Sequence, residues 1–309
     1  MKVRRFICIL LALLLSVMSF GVAEFYNLGD ESSRHELYDG NTENPLRVLI
    51  LGNSFIGTSQ VVSNLSAIAK QNGKAITVKA FAFSFASIET FLVPQYEWDM
   101  SKMEFGRGYT EDEIIYSTVP EYSPAWLKEY DIVCVCGFFG GGFFYLKKLM
   151  SYAQGGGTKF VIFPAANNYR WDAALSHKLY SDAGYVGWYD IIHYLWDEQD
   201  FVFADLATDD GAEHTNERGG YAGAMAIYAY IYGELPKSPE LFEDGKPYFP
   251  LSVIVDENVP FDPDNSESFQ WDLESVNWES LEKEQQKLAA MRAAVQGFVI
   301  DGTLHYFGE

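Results

Sequence analysis

Apolar residues recur along the chain in short continuous runs separated by longer segments of helical spacing. Residues 47–51 (Arg-Val-Leu-Ile-Leu) form the first run, the mark of a strand buried on both faces. Gly52-Asn53-Ser54-Phe55 breaks it. Over 58–71, Val61, Val62, Leu65, Ile68 and Ala69 fall at helical spacing, and Asn72-Gly73 closes the predicted helix. Residues 75–83 alternate and predict a second strand. Residues 131–136 and 159–163 predict a third and a fourth, and Phe201-Val-Phe-Ala a fifth. Helices are predicted over about 143–153, 186–196 and 217–232, with shorter ones near 111–116 and 125–129. Such alternation predicts an α/β fold: a mostly parallel five-stranded sheet with helices on both faces. In sheets of that kind, sites lie at the carboxyl ends of the strands.

The two ends of the chain follow other patterns. Lys2, Arg4 and Arg5 precede an apolar run over 6–20, and Gly21-Val-Ala23 supplies small residues after it. That three-part order is the pattern of a secretory signal, with 1–23 removed and no stable membrane insertion afterwards. The expected location is secreted or extracytoplasmic, in a bacterium. Residues 24–45 are polar and read as a linker. The domain proper is expected over 46–234. Residues 235–309 read as an extension, Pro- and Asp-rich at first. It ends in an amphipathic helix over about 281–298 that docks Leu281, Leu288, Met291, Ala294, Val295 and Phe298 on the domain.

Composition narrows the chemistry. The 309 residues are 48% hydrophobic, enough for a large core without a disulfide or metal staple. There are 43 acidic and 22 basic residues, a formal net charge of -21, which repels phosphate backbones and argues against nucleic-acid partners. Five His and three Cys show no metal-ligand spacing, so no metal site is expected. Cys134 and Cys136 lie two apart in a predicted strand, where a bridge would be badly strained, and read as small buried hydrophobes.

Two segments carry candidate chemistry. Ser54 follows the first strand and precedes the first helix, a turn that exposes a hydroxyl next to backbone N–H groups. A serine hydroxyl needs a base to act as a nucleophile. His214 lies in Asp209-Asp210-Gly-Ala-Glu-His-Thr-Asn-Glu-Arg-Gly-Gly-Tyr, before a helix that Asn216 is placed to cap. A carboxylate in the same loop can fix its tautomer and stabilise the imidazolium.

Gly52-Asn53-Ser54 after the first strand, and the late Asp…His loop before the last helix of the sheet, resemble the SGNH (GDSL-like) hydrolase family over roughly 46–234. The likeness is to a Gly-Asn-Ser variant in which Asn53 stands for the more usual Asp. It implies a three-layer α/β/α sandwich of flavodoxin-like type and cofactor-free ester hydrolysis. By the same likeness Ser54 is the nucleophile, His214 the base and Asp210 the orienting acid.

Three departures bear on that likeness. The family's Asp stands three before His, where Gly211 is found. Asp210 is one further back, Asp209 is the fallback, and Glu213 tends to point away. The segment 83–87 lacks the family's oxyanion Gly, leaving a backbone N–H such as that of Phe85 to serve. No Asn follows the third strand, and Asn167 or Asn168, after the fourth, is the substitute. A weakened oxyanion hole predicts a slow enzyme, since one lost donor typically costs about 10²–10³ in rate.

Aromatic residues reach 16% and include seven Trp. Together with secretion and the habit of the family it resembles, they make a short acyl ester on carbohydrate the expected substrate class. The competing expectation is a non-catalytic glycan- or surface-binding protein on the same scaffold. A lipid or thioester hydrolase is a more distant third.

Overall fold

The computed structural model describes residues 44–82, 87–92, 124–138, 142–165, 173, 175–180, 182–199, 201–207, 214–237, 242–243, 246–247 and 278–304. The first strand, β1 (Leu46–Gly52), is buried at every position but Arg47. Its continuous apolar run demands cover on both faces, and it receives it. β2 (Ile76–Ala82) and β3 (Ile132–Val135) flank it, followed outward by β4 (Lys159–Ile162) and β5 (Ala183–Tyr185). All the pairings are parallel, in the order β2-β1-β3-β4-β5. Val48 stands level with Val78 on one side and Ile132 on the other.

The sheet is the centre of a three-layer α/β/α fold. On one side lie α1 (Ser54–Thr58), α2 (Val61–Gln71) and the later helices α4 (Trp188–Glu198), α5 (Phe203–Leu206), α6 (Glu217–Tyr232) and α7 (Trp278–Val295), which pack on one another. α3 (Gly142–Tyr152) instead packs with the 3₁₀ turns Ile88–Phe91 and Pro124–Glu129. This is the segregation that right-handed crossovers to the left and right of β1 produce. A small hairpin pairs Phe242–Glu243 with Lys246–Pro247.

Two predicted elements are corrected. Residues 201–204 are not the fifth strand; that place belongs to Ala183–Tyr185, and 203–206 form the short helix α5. Asp205 decides this, because its carboxylate accepts the Val202 N–H at 3.0 Å and closes a helical first turn. Phe201 is buried while Val202 is largely exposed, so the apolar pair faces two environments rather than one sheet. The predicted helix over 58–71 is two helices. It starts early, at Ser54, and breaks at Ser59–Gln60, where Gln60 takes a left-handed φ of 54°.

The break has a cause in α6. A Cβ on Gly220 would lie 1.6 Å from the Ser59 carbonyl oxygen, so the backbones of α6 and of the α1–α2 junction touch. Gly223 meets the Trp188 ring in the same way, and Trp188 Nε1 donates to the Gly219 carbonyl at 2.9 Å. The glycines of α6 thus let it lie flush on its neighbours. The C-terminal helix α7 buries Met291, Ala294 and Val295 and packs Leu288 against the core, then widens into a π-turn at Gln296–Ile300, where Phe298 packs. The short helix expected at 111–116, the signal segment 1–23 and most of 24–45 lie outside the described residues. Among the described residues no helix is long and apolar enough to cross a membrane.

Candidate active site

The strand order reverses at β1: the chain goes first to β2 on one side, then to β3 on the other. A doubly wound sheet opens a crevice at such a point, beyond the carboxyl ends of its strands. Ser54 sits there, two residues past the end of β1. The turn that delivers it is tight. A Cβ on Gly52 would lie 2.4 Å from Ile56 Cγ1 and 3.1 Å from Cys136 Cβ, so no larger residue fits while Ile56 packs on the strand end. Asn53 is buried and extended, and its Oδ1 accepts the Phe55 N–H at 3.2 Å. It is the N-cap of α1, so Ser54 opens that helix.

The second half of the site arrives from 160 residues away. Thr215 makes an antiparallel bridge to Ala207, and the Asn216 N–H donates to the Leu206 carbonyl at 3.0 Å. Asn216 then caps α6, its Oδ1 accepting from the N–H groups of Arg218 and Gly219, while its Nδ2 donates to the Ala204 carbonyl. Arg218 ties the segment further. Its guanidinium donates to the Asp205 carbonyl and carboxylate, each at 3.0 Å, and to Glu284 of α7 at 2.8 Å. The residue before these anchors is His214.

Ser54 Oγ and His214 Nε2 are 2.7 Å apart, in position for the hydroxyl to donate to the ring nitrogen. The Phe55 ring lies against the imidazole, centroids 4.6 Å apart at 43°. Both Ser54 and His214 are half-buried, reachable by a ligand yet partly shielded from water. An alcohol within hydrogen-bond reach of an imidazole is the arrangement that general-base activation of a nucleophile requires.

The remaining predicted residues, Asp210 with its fallback Asp209, Phe85 and Asn168, lie outside the described residues. Phe55 and the Gly219–Gly220 pair escaped the sequence reading as site residues. Gly-Gly two residues inside a helix is the one sequence signal that points to a close backbone approach.

The comparisons with known proteins add little to this geometry. No family model matches the chain. No curated protein matches it either. Among solved structures, it is similar to a DUF4886 family protein from Bacteroides uniformis: 16% identity, 84% of this chain, 96% of that chain and a TM-score of 0.46.

The two remaining cysteines play no part in the site. Cys134 and Cys136 are free thiols, fully buried in and just after β3. Burial pushes the Cys134 thiol up to about 12 and raises that of Cys136 as well, so neither supplies a thiolate near neutral pH. Among the described residues no group of three or more His, Cys, Asp or Glu is placed to hold a metal ion.

Proposed function

We propose that this protein is a serine ester hydrolase of SGNH type. The observation that carries the reading is the 2.7 Å separation of Ser54 Oγ and His214 Nε2 at the crevice of the sheet. In the proposed reaction the Ser54 oxygen attacks the ester carbonyl carbon as His214 takes its proton. The tetrahedral intermediate collapses, the C–O bond to the alcohol breaks, and His214 returns the proton to the departing oxygen. Water, deprotonated by His214, then attacks the acyl-serine, and the acid leaves with Ser54 restored. The Ser54 amide, at the opening of α1, is the natural first donor to the developing oxyanion. Asp210 is the proposed partner of the other ring nitrogen, with Asp209 second, and Phe85 and Asn168 are the proposed further contacts to the oxyanion.

The proposed substrate is a short acyl ester, such as acetyl, on carbohydrate, met outside the cytoplasm after removal of 1–23. No cofactor enters the scheme. Steady-state turnover of an acetyl ester by wild type and Ser54→Ala tests it. Wild type turns over and the variant falls to the buffer rate. Equal rates remove Ser54 from the mechanism and leave the scaffold as a binding protein.

A further inference from the structure

Ser54 and Phe55 are the first two residues of α1, and the turn that carries them is fixed twice over. Asn53 Oδ1 accepts the Phe55 N–H at 3.2 Å, and the Asn53 carbonyl accepts the Ile56 N–H at 3.0 Å. Neighbouring residues on a helix leave it about 100° apart and do not face each other. A third group touches both side chains only from the angle between them. His214 does so: its Nε2 lies 2.7 Å from Ser54 Oγ, and its ring centroid lies 4.6 Å from that of Phe55. Phe55 is only 7% exposed and belongs to the hydrophobic core, so its ring is itself held. On the other side, the chain just after His214 is tied down by the Thr215–Ala207 bridge and the Asn216 cap.

One hydrogen bond fixes a point on an imidazole but leaves its plane free to turn about that bond. The lone pair that takes a proton lies in the plane, so the plane decides whether Nε2 aims at the hydroxyl. A ring packed alongside removes that freedom. We propose that Phe55 is a positioning residue for the base: it sets the plane of the His214 imidazole toward Ser54, and its π system steadies the imidazolium that forms when His214 takes the proton. An aromatic ring attracts a cation within about 6 Å of its centroid, the more strongly away from water. Here Phe55 is buried and His214 half-buried. The inference rests on the hydrolase reading for the imidazolium, not for the placing of the imidazole. Leucine or methionine fills similar apolar space at position 55 but brings no aromatic ring. On this proposal α1 supplies both the nucleophile and the group that aims the base, from adjacent positions in the sequence.

A double-mutant cycle tests the coupling: the rate at which a fluorophosphonate labels Ser54 in wild type, Phe55→Leu, His214→Ala and the variant carrying both changes. Phe55→Leu slows labelling about tenfold in the wild-type background and not at all where His214 is already gone. A second readout needs no catalysis. Carbethoxylation of His214 by diethylpyrocarbonate, followed on its peptide, quickens in Phe55→Leu as the imidazole comes loose, while the rate at His177 holds. Phe55→Met takes the place of Phe55→Leu throughout if the leucine variant does not fold. Three results overturn the proposal: Phe55→Leu labels as fast as a reactive wild type; it slows labelling equally with and without His214, the mark of lost core packing; or carbethoxylation of His214 stays at the wild-type rate. A wild type that takes no label, with carbethoxylation still quickened by Phe55→Leu, refutes the hydrolase reading alone and leaves the placing of the imidazole standing.

Discussion

Two glycines hold the proposed chemistry together without touching it. Gly52 lets the chain turn at the end of β1 while Ile56 packs across the turn, and Gly220 brings α6 against the Ser59 carbonyl. In the second case the obstacle is backbone, which cannot swing aside as a side chain can. Gly220→Ala therefore has to push α6, and with it the His214 segment, away from the Ser54 turn. Overpacking of this kind costs about 1–3 kcal/mol. A lower urea midpoint at an unchanged slope is the expected result, with ester turnover falling further than the loss of folded protein explains. A variant that folds as well as wild type and works as fast shows that the contact is dispensable. At this scale the sequence made the places of Ser54 and His214 and the Asn216 cap legible, because a serine just past a strand end and a cap before a helix are local patterns. It did not reveal what Gly220 does, because a glycine's purpose is written in its neighbour, here 161 positions earlier.

Among the elements, α5, α6 and α7 are joined by a charge cluster: Arg218 and Lys287 against Asp205 and Glu284. The two carboxylates are not alike. Burial works against the charge on Asp205, but the Lys287 hydrogen bond, the Val202 N–H and the charges of Lys287 and Arg218 outweigh it and hold the group below its usual 3.8. For Glu284 burial prevails over Arg218 and Lys287, and the group sits above its usual 4.5. A depressed carboxyl stabilises the fold above its unfolded value, and that contribution fades as pH falls through the folded one. Asp205→Asn is thus expected to lose about 1–3 kcal/mol at pH 7, with the gap to wild type closing below about pH 3.8. Glu284→Gln keeps an acceptor for Arg218 and sheds a charge that burial disfavours, so it costs less at pH 7. Urea titrations of both variants between pH 3 and pH 7 check the order; a larger loss for Glu284→Gln contradicts it. This cluster also explains why 201–204 deceives as a strand. Four apolar residues carry the right pattern, but Asp205 beyond them closes a helical turn, and a three-residue strand at 183–185 is too short to announce itself.

For the whole molecule, sheet class and parallel direction were readable because strands buried on both faces have no alternative to continuous apolar runs. Periodicity did not give the order β2-β1-β3-β4-β5, since it says nothing about which strands pair; the flavodoxin-like type that the family resemblance implies did. Once the order is known, the placing of Ser54 at the reversal point follows, and so does the inert burial of Cys134 and Cys136 in the strand beside it. Those thiols are expected to resist a maleimide in the native protein and to react on unfolding in denaturant, as peptide masses can show; native labelling of either one means that β3 is not the covered strand described here. In the proposed mechanism His214 draws the proton from Ser54 and so makes one serine among many reactive. Mass spectrometry of wild type, Ser54→Ala and His214→Ala after exposure to a fluorophosphonate measures that directly. The expected result is a single adduct on Ser54 in wild type, none in Ser54→Ala, and labelling slowed by at least about 10³-fold in His214→Ala. An unlabelled wild type, or a Ser54 adduct that forms as fast without His214, contradicts it.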